Sequence, residues 1–524
     1  MNWLVTIAEF IVNEILAVPA YLIGIITAVG LIALRKSVGE VIGGALKATL
    51  GFLLIGAGAT LVVASLEPLG VMLQGATGAH GVVPTNEAIV GIAQNKYGAQ
   101  VAWLMILGFV VSLVLARFTP LRYVFLTGHH TLFMATLLTI VLATSGLNAV
   151  TVVIAGGVLL GVVMVALPAI AQPWTRRVTG DNSIAIGHFG TLGYVVSGIV
   201  GRWTGGKRSR STEDLKLPES LRFLRDSMVA TALSMVIMYI VVSLVYVGRV
   251  GSSEAFLAYA AADGTGGATG MGNFLMNGVT QGLGFGVAVA VILFGVRTIL
   301  GELVPAFQGI AERVVPGAVP ALDAPIVFPY AQNAVLIGFI SSFVAGLVGL
   351  AVLTIWLGPS FGWALVLPGL VPHFFTGGAA GVYGNATGGR VGAVCGAFAN
   401  GLLITFLPAL LLGVLGNFGD ENTTFGDTDF GWYGILLGNA GKIGGVWGVV
   451  VMLAIGAAIL GLAVLVQKKL GDTGWDPSPG RPTSGGAMPA ASTAGPAATR
   501  TYGKIPPPAG APKPPPPPEG RVRQ

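Results

Sequence analysis

Ten apolar runs, each close to the length of a membrane-crossing helix, dictate what this chain can become. They lie near 14–34, 42–66, 99–116, 131–146, 149–169, 227–248, 280–300, 332–357, 391–416 and 445–467. A helix needs about 20 predominantly apolar residues to span the hydrocarbon core. Charged residues make up only 10% of the chain, against roughly 25% in soluble domains. With a mean hydropathy of +0.81, there is too little polar surface to cover a water-exposed fold. Many of the 80 glycines lie inside apolar runs, where glycine lets membrane helices approach or break.

Two further apolar stretches, 182–200 and 361–387, are interrupted by Gly, Pro or His, and 303–330 is mixed. Non-helical backbone at membrane depth is tolerated only where it is buried in protein or lines a cavity. These stretches therefore read as re-entrant hairpins or discontinuous helices. The expected fold is an all-α polytopic membrane protein of about eleven transmembrane helices plus hairpins.

Basic residues set the orientation. Arg35 and Lys36 follow the first run. Arg176, Arg177, Arg202, Lys207, Arg208, Arg210, Lys216, Arg222 and Arg225 fill the middle section, and Lys468 and Lys469 follow the last run. All of these read as cytoplasmic. The loop at 417–430 carries Asp420, Glu421, Asp427 and Asp429 without Lys or Arg, and reads as external. The N-terminus is then outside and the C-terminus inside. Residues 1–10 lack Lys and Arg, so the first run reads as a retained span. From 471 to 524 the chain turns rich in Pro, Gly, Ala and Ser, with a polyproline run at Pro514–Pro518. That composition predicts a disordered or polyproline cytoplasmic tail, with a docking segment as the alternative.

Two short matches suggest an internal repeat. RKSVGE at 35–40 parallels RTILGE at 297–302, and VFLTG at 124–128 parallels LVLPG at 365–369. They imply two halves, roughly 14–146 and 280–410, with a solute site at their interface near the midplane. Glu40 and Glu302, beside Arg35 and Arg297, read as ion pairs at span ends.

All five histidines, His80, His129, His130, His188 and His373, lie in or beside broken apolar stretches. Ionisable groups at membrane depth are costly and default to functional hypotheses. Two breaks share a Gly-His step: LTGHH at 126–130 and IAIGHFG at 184–190. Imidazole donates and accepts hydrogen bonds, which suits sugar hydroxyls, and Phe189 can stack on an apolar sugar face. Asp323 sits between prolines in PGAVPALDAP. It can accept two hydroxyl bonds, pair with Arg297 or Arg313, or cap a helix. In PTNE at 84–87, Thr85 reads as a helix cap with Glu87 in the first turn. There is no GxxxxGK[ST], no HExxH and no Cys/His zinc spacing; the lone Cys395 reads as a small hydrophobe. No cofactor or nucleic acid is implied, and no catalytic nucleophile stands out.

LRKSV at 34–38, FLTGHH at 125–130, IGH at 186–188, EDLKLP at 213–218, the run from Glu302 to Pro325 and QNAVLIGF at 332–339 together resemble the L-ascorbate-specific IIC permease of the bacterial sugar phosphotransferase system. The resemblance covers about residues 10–470. It implies a homodimer in the bacterial inner membrane, with two inverted repeats, a core domain and a V-shaped dimer domain. It also implies a rigid-body swing of the core and phosphorylation of the solute by a separate IIB protein fed by IIA. The family's ligand positions fall on His129, within LTGHHT with His130 and Thr131, on His188 and on Asp323. The family's Thr-Tyr pair falls on Asn86-Glu87, and its two glutamines fall on Phe133 and Phe189. Glu87 would repel an anionic solute unless it is protonated or turned away. The expected cargo is L-ascorbate or a related sugar or polyol. The alternative is a transporter of the same fold driven by an ion gradient.

Overall fold

The computed structural model describes residues 18–206, 208–215, 227–260 and 266–481, with 303–313 and a few other helical positions described by backbone alone. Residues 1–10, Lys207, Lys216, Arg222, Arg225, the Arg313 side chain and the tail from 482 with its polyproline run lie outside the described residues. Among the described residues, twelve helices carry the fold: α1 (Pro19–Ala33), α2 (Val38–Thr77), α3 (Asn86–Phe118), α4 (Gly128–Thr144), α5 (Ala149–Thr179), α6 (Thr191–Thr204), α7 (Ser227–Val250), α8 (Met271–Val314), α9 (Gln332–Val352), α10 (Leu370–Leu411), α11 (Thr428–Gly441) and α12 (Gly445–Val466). Among the described residues, eight helices are long and apolar enough to cross a membrane. Two shorter apolar helices, Ile23–Ile32 and Gly128–Thr144, accompany them. The protein is an all-α polytopic membrane protein.

Local chemistry sets the helix limits. Ser37 and Glu40 form a capping box at the start of α2, and Gly78, left-handed at φ 76°, ends it. Glu40 thus bonds Ser37 and Lys36, and Glu302 pairs with Lys47 at 2.7 Å. Both are structural ion pairs, but with partners other than the arginines beside them. Helix α10 counts as one span but breaks at Gly389, whose φ of 61° no helix accommodates. Its arms run back on each other. The Asn400 amide donates to Thr376 Oγ1 at 3.1 Å, and a Cβ on Gly384 would lie 2.3 Å from the Gly392 carbonyl. The arm from Leu370 to the break overlaps the 361–387 stretch, which reads from sequence as a re-entrant hairpin or discontinuous helix.

Six short strands interrupt the helices among the described residues: β1 (Gly81–Pro84), β2 (Tyr123–Phe125), β3 (Ala185–Ile186), β4 (Val319–Leu322), β5 (Leu365–Val366) and β6 (Thr423–Thr424). They form two parallel three-stranded sheets, ordered β5-β1-β6 and β2-β4-β3. The first three strands in the chain belong to one half and the last three to the other. The pairing is therefore reciprocal, since each half's leading strand is the centre of a sheet whose edges come from the opposite half. Backbone bonds such as Thr85 N–H to Thr424 O (2.8 Å) and Leu126 N–H to Ala321 O (2.9 Å) satisfy groups that no water would reach. The match of 124–128 with 365–369 falls on corresponding strand-to-helix junctions, β2 to α4 and β5 to α10. The match of 35–40 with 297–302 does not. The exchange also extends past the halves drawn at 146 and 410, because β3 and β6 lie beyond them.

The fold continues past the composition shift at 472. Residues 472–481 fold back onto the end of α5. Arg177 Nη1 meets Asp476 Oδ2 at 3.1 Å, and its Nη2 donates to the Arg481 carbonyl at 2.6 Å. Arg176 donates to the carbonyls of Gly471 and Trp475, Trp475 packs edge-on against Trp174, and Ser478 is buried against the Thr387 carbonyl. The composition shift at 472 reflects loss of apolar residues, whereas this strap is held by polar bonds to helix ends. Truncation after Leu470 should therefore lower the thermal midpoint in detergent by several degrees relative to truncation after Arg481. That corresponds to about 2–3 kcal/mol for the lost charge-assisted bonds.

Candidate functional site

Each of the six strands leads within a few residues into a helix N-terminus or, after β4, into a short 3-10 helix (Ala324–Tyr330) that precedes α9. Residues from all six junctions line one cavity of about 650 Å³. The first four backbone N–H groups of a helix have no intrahelical partner and carry partial positive charge. A cavity ringed by such ends favours oxygen-rich ligands.

Asp323 follows β4 and caps the 3-10 helix, its Oδ1 accepting the Ala324 N–H at 2.7 Å. Its side chain remains 37% exposed to the cavity. Three imidazoles face it. His129 Nε2 lies 3.3 Å from Oδ2, and the Nε2 atoms of His130 and His188 each lie 4.0 Å from Oδ1. Asp323 thus caps a helix as one sequence reading held, but its charge faces histidines rather than Arg297.

The two Gly-His steps bring these rings together for different reasons. Gly128 opens α4, so His129 and His130 stand on its first turn. In the second step, Gly187 fits where a Cβ would lie 2.5 Å from the Ala321 carbonyl, and Gly190 leaves room for the Tyr194 hydroxyl. That hydroxyl is 2.8 Å from His188 Nδ1. Whichever atom donates, the bond turns His188 Nε2 toward Asp323. The His130 and His188 ring centres are 3.8 Å apart, and His130 stacks parallel to Phe430.

Asn86 and Asp427 complete the polar wall. The Asn86 amide donates to Asp427 Oδ2 at 2.7 Å, while its Oδ1 accepts the Gly426 N–H at 2.8 Å. This side chain therefore ties the start of α3 to the start of α11. Glu87 lines the cavity beside it. Among the described residues, Glu87 Oε2 and His130 Nδ1 are buried without a hydrogen-bond partner, which is spare capacity for a bound molecule. Thr85 occupies the N-cap position of α3, but its side chain makes no capping bond.

Most of the expected site residues converge here. Asn86, Glu87, His129, His130, Phe133, His188 and Asp323 all line the cavity. Two expected positions do not. Phe189 is fully buried behind it, stacked on Phe125 at 5.0 Å, so its face is covered by protein rather than by solute. Thr131 is buried too, its hydroxyl returned to the Thr127 carbonyl. His373 bonds Ser342 Oγ at 2.8 Å away from the cavity, and His80 is not among the lining residues.

Sequence reading missed Asp427, which it assigned with Asp429 to an external loop. Both are buried. Asp429 accepts the Thr191 and Leu192 N–H groups at 2.7 and 3.0 Å, capping α6 from another junction. The available signal was Asp427 directly before an apolar helix, an N-cap pattern. Two groups, His129 with His130 and Asp323, and His130 with His188 and Asp427, hold one ligand atom each within 4.8 Å of one another. Side-chain shifts would be needed to close either set to the roughly 2.0–2.2 Å of a first coordination shell.

A family model described as PTS system sugar-specific permease component matches residues 14–429. A curated relative, the ascorbate-specific PTS system EIIC component of Mycoplasma pneumoniae, is 30% identical over 427 residues, covering 73% of this chain and 63% of the relative. The chain thus spans less than two thirds of that relative's length. It belongs to the sugar-specific permease (IIC) family of the phosphotransferase system.

Removing the Asn86 amide strands both the buried Asp427 carboxylate and the Gly426 N–H. Asn86→Ala should cost about 2–4 kcal/mol of stability in a thermal or denaturant titration. Asn86→Ala combined with Asp427→Ala should cost less than the sum of the two single changes.

Proposed function

We propose that this chain is the translocating IIC subunit of a phosphotransferase system in the bacterial inner membrane, taking L-ascorbate or a closely related sugar or polyol inward for phosphorylation by a separate IIB protein, itself charged by IIA. The observation that carries this reading is the convergence of three imidazoles on the half-exposed Asp323 in a cavity ringed by helix N-termini. A polyhydroxylated solute can donate to the Asp323 carboxylate and exchange bonds in both directions with the histidines. The ascorbate-specific relative supports the choice of cargo.

The polar wall is built as one piece, since Asn86 joins α3 to α11, Asp429 joins α11 to α6, and the strands join the halves. The opposite wall is formed by α7 and α8. This division supports transport by rigid-body displacement of the polar wall with its solute, in a homodimer whose subunits each carry one site. The ends of α5 and α12, held together by Arg176, and the α10 turn at Arg390, bonded to Ser211, share a basic face. We place that face in the cytoplasm and the N-terminus outside.

Uptake of labelled ascorbate into membrane vesicles tests the reading. Accumulation should require phosphoenolpyruvate, IIA and IIB, and should yield only phosphorylated product. Accumulation of unmodified solute without phosphoenolpyruvate would replace it with gradient-driven transport. Asp323→Asn keeps the cap but removes the charge, and should weaken solute binding at least tenfold, about 1.4 kcal/mol.

Glu87 tests the cargo separately, because it lines the cavity. Glu87→Gln should alter ascorbate affinity by less than about threefold. A tenfold or larger gain, again about 1.4 kcal/mol, would show a charge that repels the anion and would favour a neutral cargo.

A further inference from the structure

The RTILGE motif divides between two duties. Glu302 pairs with Lys47 and holds α8 against α2. Arg297 does something else. On α8 the cavity-lining residues are Gly286, Val289, Ala290, Leu293, Val296 and Arg297. Their spacing of three and four places them on a single helical face. Five of the six are apolar or glycine, and the stripe ends in a guanidinium.

Arg297 is exposed, and no acidic side chain among the described residues lies within ion-pair distance of it. Among the described residues it is the only Lys or Arg lining the cavity, whereas Glu87, Asp323 and Asp427 line it from the strand-to-helix junctions. The described lining therefore draws its carboxylates and imidazoles from the junctions and its one permanent cation from α8. An arginine is always charged, and its planar fork matches a pair of adjacent oxygens such as a carboxylate or an enediolate. A neutral polyol has no use for that cation. An anionic sugar is repelled by Asp323 unless its charge points away from that carboxylate.

We infer that Arg297 is a specificity-determining residue that receives the negative charge of an anionic carbohydrate, orienting it with the charged end toward α8 and the hydroxyls toward Asp323 and the histidines. This rests on the reading of the cavity as the carbohydrate site and adds the solute's charge and orientation to it. It also explains how a site built around Asp323 holds an anion.

The test compares two ligands of the same ring skeleton, L-ascorbate as the anion at neutral pH and L-gulono-1,4-lactone as a neutral counterpart. Binding to the full-length purified protein is measured by calorimetry for the wild type, R297K and R297Q. R297Q should weaken ascorbate at least tenfold and change the lactone by less than twofold, and R297K, which keeps the charge without the fork, should weaken ascorbate less than R297Q does. Ascorbate affinity of the wild type should fall more steeply with added salt than that of R297Q. Thermal midpoints of the three proteins report folding independently. Unchanged ascorbate affinity in R297Q, or an equal loss for both ligands, overturns the assignment. Wild-type protein that binds the lactone but not ascorbate overturns it too, while leaving the site standing. Wild-type protein that binds neither overturns the carbohydrate reading on which the assignment rests.

Discussion

Everything in this protein depends on how backbone hydrogen bonds are satisfied away from water. A helix satisfies its own backbone except at its ends, and six interruptions in the apolar core create more such ends than side chains could cap. The chain answers by pairing each interruption with another from the opposite half. β1 lies between β5 and β6, and β4 between β2 and β3. An unpaired N–H or C=O in the hydrocarbon region costs several kcal/mol, so strands of two to four residues suffice once the partner is in register.

The pairing also makes the site. Parallel strands start the following helices from a common level, and their N-termini collect around one cavity. Acidic side chains then become tolerable at membrane depth. Asp427 meets the Asn86 amide, Asp429 meets the first N–H groups of α6, and Asp323 meets the start of its own 3-10 helix. The histidines are held by the same junctions. The polarity of the cavity is thus a by-product of the backbone solution, tuned by which side chain each junction carries.

This accounts for what the sequence discloses and what it hides. Membrane spans are legible because apolar length is a local signal. The Gly-His steps and Asp323 are legible because glycine, proline and an ionisable group coincide in otherwise apolar runs. The reciprocal pairing is not, since two-residue strands have no periodicity and their partners lie hundreds of residues away. Asp427 and Asp429 read as loop acids because charge was counted without the helix that follows. Phe189 read as a stacking surface, yet the turn that presents His188 sends the next side chain behind the cavity. The strap at 472–481 is hidden for a simpler reason. Most of its bonds go to backbone carbonyls, and carbonyls have no letter in a sequence.

The two walls of the cavity differ in how they are bound. Polar contacts that define the site run among the junctions themselves, through Asn86, Tyr194, Asp429 and the strand ladders. The α8 wall offers mostly Val, Leu, Ala and Gly. A surface of that kind can slide without leaving buried hydrogen bonds unmade, because dispersion contacts are individually weak and non-directional. The junction wall cannot be sheared internally without breaking bonds that lack water to replace them. In the transport we propose, displacement between the walls is the soft coordinate and deformation within the polar wall the stiff one. A carbohydrate held by Asp323 and the histidines then moves with the stiff element, while a charge presented by α8 stays with the other, and the strength of that second contact sets how readily the solute leaves the wall it faces.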